Sequence, residues 1–482
     1  MRRIAWSVAL ALACLAAAGG GLQGPAGGAG STGASPPAPA CGTPPTSITL
    51  SPMVPCDVNA TSGTLQGLQN DFDVYSWNSF IALNWPVSAS GAVEPGVKIG
   101  QNGDNPTVWE TWSESSDIFL AGGAPPPPFG QHTPPPAACQ NLYTPGMRVV
   151  TQIGKTLLEE DVQPFKTGPL VDQNGQYTRF EITVNENMFD TIVGYQLYNQ
   201  QGQQAYASAG NSVQFLCGSN PTSQVGAIMA KAAWKVLGKG DNPGRFHKVQ
   251  ALVYTPDAKD LKDRCVLQTL GMVGLHIAHK TTSAPQWIWS SFEQVDNAPD
   301  QGQVEPAGSH FNYYNAGCKG CPVNEPPPRP WNASIPGQPA TQVERVIPIA
   351  PSTAQLNQTA AALLRSVNPA SVWQYYELIS TQWPTQPAAA STFCPPPGGP
   401  PVKKSPALLN ETDGNPAPQF LANATLETYI QGSVPNVSSS CIRCHHAATA
   451  TTGDTADFTY LLERAESVIA PPPAPSTSGG MQ

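Results

Sequence analysis

The sequence predicts an α+β fold: a large, loop-rich body of mixed strands and helices, followed by a short, mainly helical C-terminal segment. Three observations lead there. Runs with two-residue alternation or dense Val, Leu and Ile content recur through the middle of the chain, at Arg179–Val184, 245–254 and 265–280, as strands do. Leu356, Ala360, Leu363 and Leu364 form an apolar stripe at helical spacing within 352–367. Proline- and glycine-rich stretches at 125–128, 134–136 and 395–401 punctuate these patterned runs and read as surface loops or linkers.

The 482 residues suggest two or three units, or one large body with an appendage. Residues 1–18 have the layout of a secretory signal peptide. Met1-Arg2-Arg3 is basic, Ile4 to Ala17 is a short apolar run, and Ala16-Ala17-Ala18 offers small residues for cleavage. The run is too short to span a bilayer, and no later stretch is long and apolar enough, so no transmembrane segment is expected after cleavage. Cys14 raises a lipoprotein as the alternative, although Ala11-Leu12-Ala13 fits a lipid-attachment box poorly. Residues 19–45, rich in Gly, Ala, Ser and Pro, read as a flexible linker. The body is expected over 46–424, the C-terminal segment over 425–468, and a disordered tail over 469–482. A net charge of −9 with no basic run argues against nucleic acid as a partner. Eight of the 11 cysteines (Cys41, Cys56, Cys139, Cys217, Cys265, Cys318, Cys321 and Cys394) suit a disulfide framework in an exported chain, with pairing that spacing does not reveal.

In chain order, Phe72, Tyr75, Ser79 and Ala82 recur at helical spacing, and Pro86 stops the run. Residues 107–112 alternate and predict a short strand. Asn185 or Asn187 is placed to cap a helix that begins near Met188. Residues 287–293 put two tryptophans on one face. Ser352 with Gln355 suggests a capping box, and 372–379 reads as a continuation with Trp373, Tyr375 and Tyr376. Residues 425–431 are apolar-periodic, and 457–462 open a short helix.

The chemistry lies in Cys441-Ile442-Arg443-Cys444-His445. Two cysteines with two residues between them and a histidine next form the attachment pattern for haem c. Each thiol can add to one vinyl group of a single covalent haem, and on a helical turn the His445 imidazole can bind the iron as proximal ligand. Two other readings use the same residues. A zinc site would want a second pair of ligands, and only His446 is near in sequence. A Cys-x-x-Cys redox pair goes with a cytosolic βαβ context that this chain lacks.

Around this motif the chain resembles a family of exported bacterial single-haem c-type cytochromes. The matching stretches are 77–86, 231–235, 274–277, 287–297, 373–384, 426–429, the motif itself and 457–462, so the likeness runs through most of the mature chain. The unusually proline-rich linkers depart from the family. The resemblance implies haem binding, electron transfer with a redox partner protein, and a periplasmic or secreted location, and it supplies no substrate.

The ligand opposite His445 is open in the sequence. Met481, the only methionine downstream, lies in the tail, and His446 is adjacent to the proximal ligand and cannot reach the far side. His276 and His279, in an apolar strand-like run, are the candidate distal ligands; His132, His247, His310, Met188, Met229 and Met272 rank below them. A fixed ligand makes an electron carrier. An open iron allows a haem oxidoreductase, a peroxidase-like enzyme or a haem-based ligand sensor. Cys318-Lys319-Gly320-Cys321 has no histidine after it and reads as a disulfide, and Glu159-Glu160-Asp161 reads as a solvated turn.

Overall fold

The structure, a computed structural model, describes residues 41–88, 91–94, 96–101, 105–151, 167–255, 264–303, 308–328, 331, 335, 338–432 and 439–469. The signal peptide, Cys14, the linker up to residue 40, the Glu159-Glu160-Asp161 turn and the tail beyond 469 with Met481 lie outside the described residues.

A small parallel pair, β1 (Cys41–Gly42) and β2 (Val54–Pro55), precedes the long helix α1 (Leu65–Leu83). Then come β3 (Ser113–Glu114), α2 (Ser115–Ile118), β4 (Arg148–Thr151), β5 (Arg179–Val184), α3 (Glu186–Gly194) and α4 (Gln200–Ser208). Strands β6 (Ile228–Val236), β7 (Lys248–Thr255), β8 (Arg264–His279) and β9 (Ile288–Gln294) lead to α5 (Pro351–Val367) and β10 (Tyr376–Pro384). The chain ends with α6 (Ala390–Phe393), α7 (Pro406–Leu409), β11 (Pro416–Ala417) and α8 (Cys441–His446).

Among the described residues, nine strands form one sheet in the order β11-β10-β9-β8-β6-β5-β3. Strand β7 branches off the first half of β8 and carries β4 in parallel; the other pairings are antiparallel. The fold is therefore mixed α+β. The stretches expected as body and as C-terminal segment belong to a single compact unit. No helix among the described residues is long and apolar enough to cross a membrane.

Side chains alternate across a sheet with period two, so each strand feeds two layers. One face receives α1 and α5. Trp77 and Phe80 of α1 pack on Phe292 of β9, and Trp373 lies against Phe80. Polar stitches fix the register of this layer. Ser76 Oγ lies 2.7 Å from Ser290 Oγ and 2.6 Å from Thr381 Oγ1. Asp73 is fully buried and accepts hydrogen bonds from Thr353 Oγ1 and the Thr381 amide. The other face receives the C-terminal segment, described below.

The helical stripe in α5 and the strands β5, β7 and β8 form where the patterns place them, and Asn185 caps α3 by accepting from the Met188 amide. Four local expectations are corrected. Helix α1 begins earlier, at Leu65, where Thr64 Oγ1 accepts from the Gly67 amide. The expected strand at 107–112 is a 3₁₀ turn over Trp109–Thr111. The Glu110 carboxylate reaches back to the Thr107 amide and hydroxyl and bends the chain, so that Trp109 and Trp112 both enter the core. The capping box at Ser352 is absent: Pro351 starts α5 with its preset φ, and Ser352 Oγ instead accepts from Gln66. The run 372–379 is a 3₁₀ turn over Val372–Tyr375 that hands over to β10, because β9 offers an open edge for Tyr376 onward to pair with.

The eight cysteines pair as Cys41–Cys56, Cys139–Cys265, Cys217–Cys394 and Cys318–Cys321. Two of these bridges join residues 126 and 177 positions apart, the loop lengths at which a cross-link constrains the unfolded chain most.

Candidate functional site

The motif residues occupy α8, a helix of less than two turns lying against the sheet. Its N-terminus is fixed by Gln382 of β10, whose Oε1 accepts from the Ile442 amide at 2.8 Å and the Ser440 hydroxyl at 3.2 Å. Ile442 is fully buried and anchors the turn in the core. Cys441 and Cys444, three residues apart on a helix, lie on one side of it. They alone among the described cysteines form no disulfide.

His445 is held in one orientation. Its Nδ1 donates to the Phe458 carbonyl at 2.8 Å. A carbonyl only accepts, so Nδ1 carries the proton and Nε2 keeps the lone pair a metal needs. The ring lies 4.2 Å from the Trp289 ring centroid, with Tyr460 edge-on at 5.3 Å. Burial lowers its pKa to about 4, so the imidazole is neutral at ordinary pH. Burial likewise pushes the Cys441 thiol well above its ordinary range and that of Cys444 to about 11. Redox-active Cys-x-x-Cys pairs need the opposite shift, toward thiolate.

The carbonyl that orients His445 is aimed by an unusual turn. The sequence predicts a helix opening at 457; instead Asp457 and Phe458 both have positive φ, +48° and +64°, before a 3₁₀ turn over Tyr460–Arg464. Asp457 holds this turn from inside the protein. Its carboxylate accepts from Lys280 Nζ at 2.6 Å, the Phe215 amide at 2.7 Å and Trp287 Nε1 at 3.4 Å. Tyr460 ties the turn to the motif by donating to the Cys444 carbonyl at 2.8 Å.

The sheet face beneath the motif carries Met229, Lys231, His276, Trp289 and Ser291, cross-strand neighbours on β6, β8 and β9. His276 Nε2 lies 3.1 Å from Ser291 Oγ and 3.3 Å from Glu427 Oε2. Burial alone would raise the Glu427 pKa, but His276 and Lys231 outweigh it and hold the carboxyl below its usual range. Met229 Sδ accepts from Thr459.

The two candidate distal histidines are separated. His276 faces the motif. His279, three residues on along a strand, points to the opposite face under α1, where its Nδ1 meets the Tyr75 hydroxyl and its Nε2 the Val225 carbonyl. With both ring nitrogens engaged on the wrong side of the sheet, His279 is not placed to meet a group at the motif. Burial lowers its pKa to about 4 from an ordinary 6.5. Between those values the unfolded chain binds a proton that the fold refuses, so this contribution to stability is complete above about pH 6.5 and is lost toward pH 4. Urea unfolding of the wild type and of His279→Gln should show their stability difference narrowing over that window.

His446 Nε2 donates to the Glu411 carbonyl, 3.0 Å away. His132 pairs with Asp117, and His247 with Glu110 and the Trp373 ring; neither joins the site. Among the described residues, no group of three or more His, Cys, Asp or Glu side chains is arranged to hold a metal ion.

Lys231, Glu427, Gln382, Trp289 and the Phe458 carbonyl were not singled out from sequence. Only strand alternation carried a signal: it places Lys231 opposite a face of β6 from Trp234, and it separates His276 from His279.

No family model, curated protein or solved structure matches this chain.

Proposed function

We propose that the protein is an exported mono-haem c-type cytochrome that passes electrons to or from a redox partner protein. The observation that carries this reading is the state of the motif. Cys441 and Cys444 are unpaired in a chain whose other described cysteines are bridged, and beside them His445 has Nδ1 committed and Nε2 free. These residues would hold haem c through thioether bonds from Cys441 and Cys444 and an iron–imidazole bond from His445. Bound there, haem c supplies one-electron chemistry at iron. The protein's part is to fix the imidazole through Phe458, to shield it with Trp289 and Tyr460, and to hold the motif against a rigid sheet. The four disulfides and the N-terminal signal pattern support an oxidising, extracytoplasmic location.

A specific observation favours a second reading, with an open iron and a haem oxidoreductase, peroxidase-like or sensing role. His276 already spends Nε2 on Ser291 and Glu427, and Met229 Sδ already accepts a hydroxyl. Protein matured in an exporting host should retain haem through acid-acetone extraction. Carbon monoxide added after reduction separates the two readings: a rapid spectral change marks an open site, and an unchanged low-spin spectrum marks a carrier with two fixed ligands.

A further inference from the structure

Lys231 stands out among the charged groups near the motif. It sits in the middle of β6, paired across the sheet with Ile182 on one side and His276 on the other. It is half-buried, whereas the other eight residues of that nine-residue strand are buried. Its ammonium lies 5.2 Å from the centroid of the Phe180 ring. Among the described residues it has no ion pair and no hydrogen bond. Three buried cations of the protein are each held by a carboxylate: Lys235 by Asp241, Lys280 by Asp457, and Arg148 by Glu110 and Glu181. The carboxylate whose field Lys231 feels most, Glu427, is already occupied by His276 and by the Asn423 amide.

A charge in such surroundings is costly unless a counter-charge meets it. Among the described residues Glu427 acts on Lys231 only through its field, without a contact between them, and the Lys231 ammonium and the Cys444 thiol lie within each other's field. We propose that Lys231 is the counter-charge for a carboxylate of the group held at Cys441, Cys444 and His445. This rests on the haem reading, under which that carboxylate is a porphyrin propionate. Lys231 would then favour one orientation of the bound group over the other and supply a positive charge to it. The Phe180 ring contributes by holding the aliphatic stem and the ammonium in place.

The test uses the full chain exported without haem-attachment machinery, titrated with haemin and with its dimethyl ester. The wild type should bind the diacid about tenfold more tightly than the diester, the scale of one charge-assisted hydrogen bond. Lys231→Gln should lose that preference and Lys231→Arg should keep it. Equal binding of diacid and diester by the wild type, or a preference that persists in Lys231→Gln, overturns the assignment and leaves the haem reading standing. Failure of both porphyrins to bind, together with a matured chain that carries no haem, overturns both. In the matured protein, Lys231→Gln should lower the reduction potential while Lys231→Arg leaves it near that of the wild type. An unchanged potential in Lys231→Gln overturns the assignment even where free porphyrin does not bind.

Discussion

Exchanging both Cys441 and Cys444 for alanine should abolish the haem-stained band on denaturing electrophoresis, while the exported chain still accumulates. Haem that survives denaturation must be held by covalent bonds, and these are the described thiols without a disulfide partner. Either single variant should retain one thioether and a weakened band. The parallel change of Cys318 and Cys321 to serine should leave the band intact, because that pair is bridged and has no histidine after it. A full-strength band in the Cys441/Cys444 double variant would remove the basis for the proposed function. The expected effect is all or none, since thioether formation has no substitute residue at this turn. Stability should change less, because Cys441 and Cys444 are only half-buried whereas Ile442 between them makes the core contact.

Replacing Asp457 by alanine should cost about 3–5 kcal/mol of stability, the usual range for stripping one partner from a buried ion pair. Lys280 is fully buried and would be left with Gln214 alone. The Phe215 amide and the Trp287 indole would lose their acceptor as well. Alanine also tolerates a positive φ less well than aspartate, so the turn that aims the Phe458 carbonyl should relax. The second consequence is therefore local: His445 loses the partner that sets its tautomer, and the spectrum of the matured protein should become heterogeneous. Asp457→Asn keeps the backbone preference and removes the charge, so it should destabilise while leaving the His445 environment closer to native. Urea unfolding and the optical spectrum, read together on both variants, separate the two effects. A stability loss below about 1 kcal/mol in Asp457→Ala would contradict the role given to this carboxylate.

Three segments depart from their sequence pattern because of residues around them. At 107–112 and 372–379, alternation and aromatic spacing are properties of the segment, whereas the conformation is decided by its neighbours. The Glu110 carboxylate folds its own turn, and the edge of β9 recruits Tyr376 onward into β10. At 457–462 the helix-like spacing hides two left-handed residues, and three buried partners of the Asp457 carboxylate offset the strain. Strand β8, by contrast, is legible in the sequence: its long Val-, Leu- and Ile-rich run declares a strand wherever its partners lie.

By itself the sequence determined the local chemistry of the site: two thiols and an imidazole on one helical turn, because a five-residue spacing is set by helix geometry and needs no distant contact. It also determined the mixed fold class, since period two and period 3.6 are properties of short segments. What surrounds the motif was decided only by tertiary structure. Lys231, His276, Glu427 and Trp289 come from residues up to about two hundred positions away, and they meet through cross-strand register. Register is a relation between segments: a slip of one residue would turn His276 away from the motif and bring His279's face toward it, with the composition of every strand unchanged.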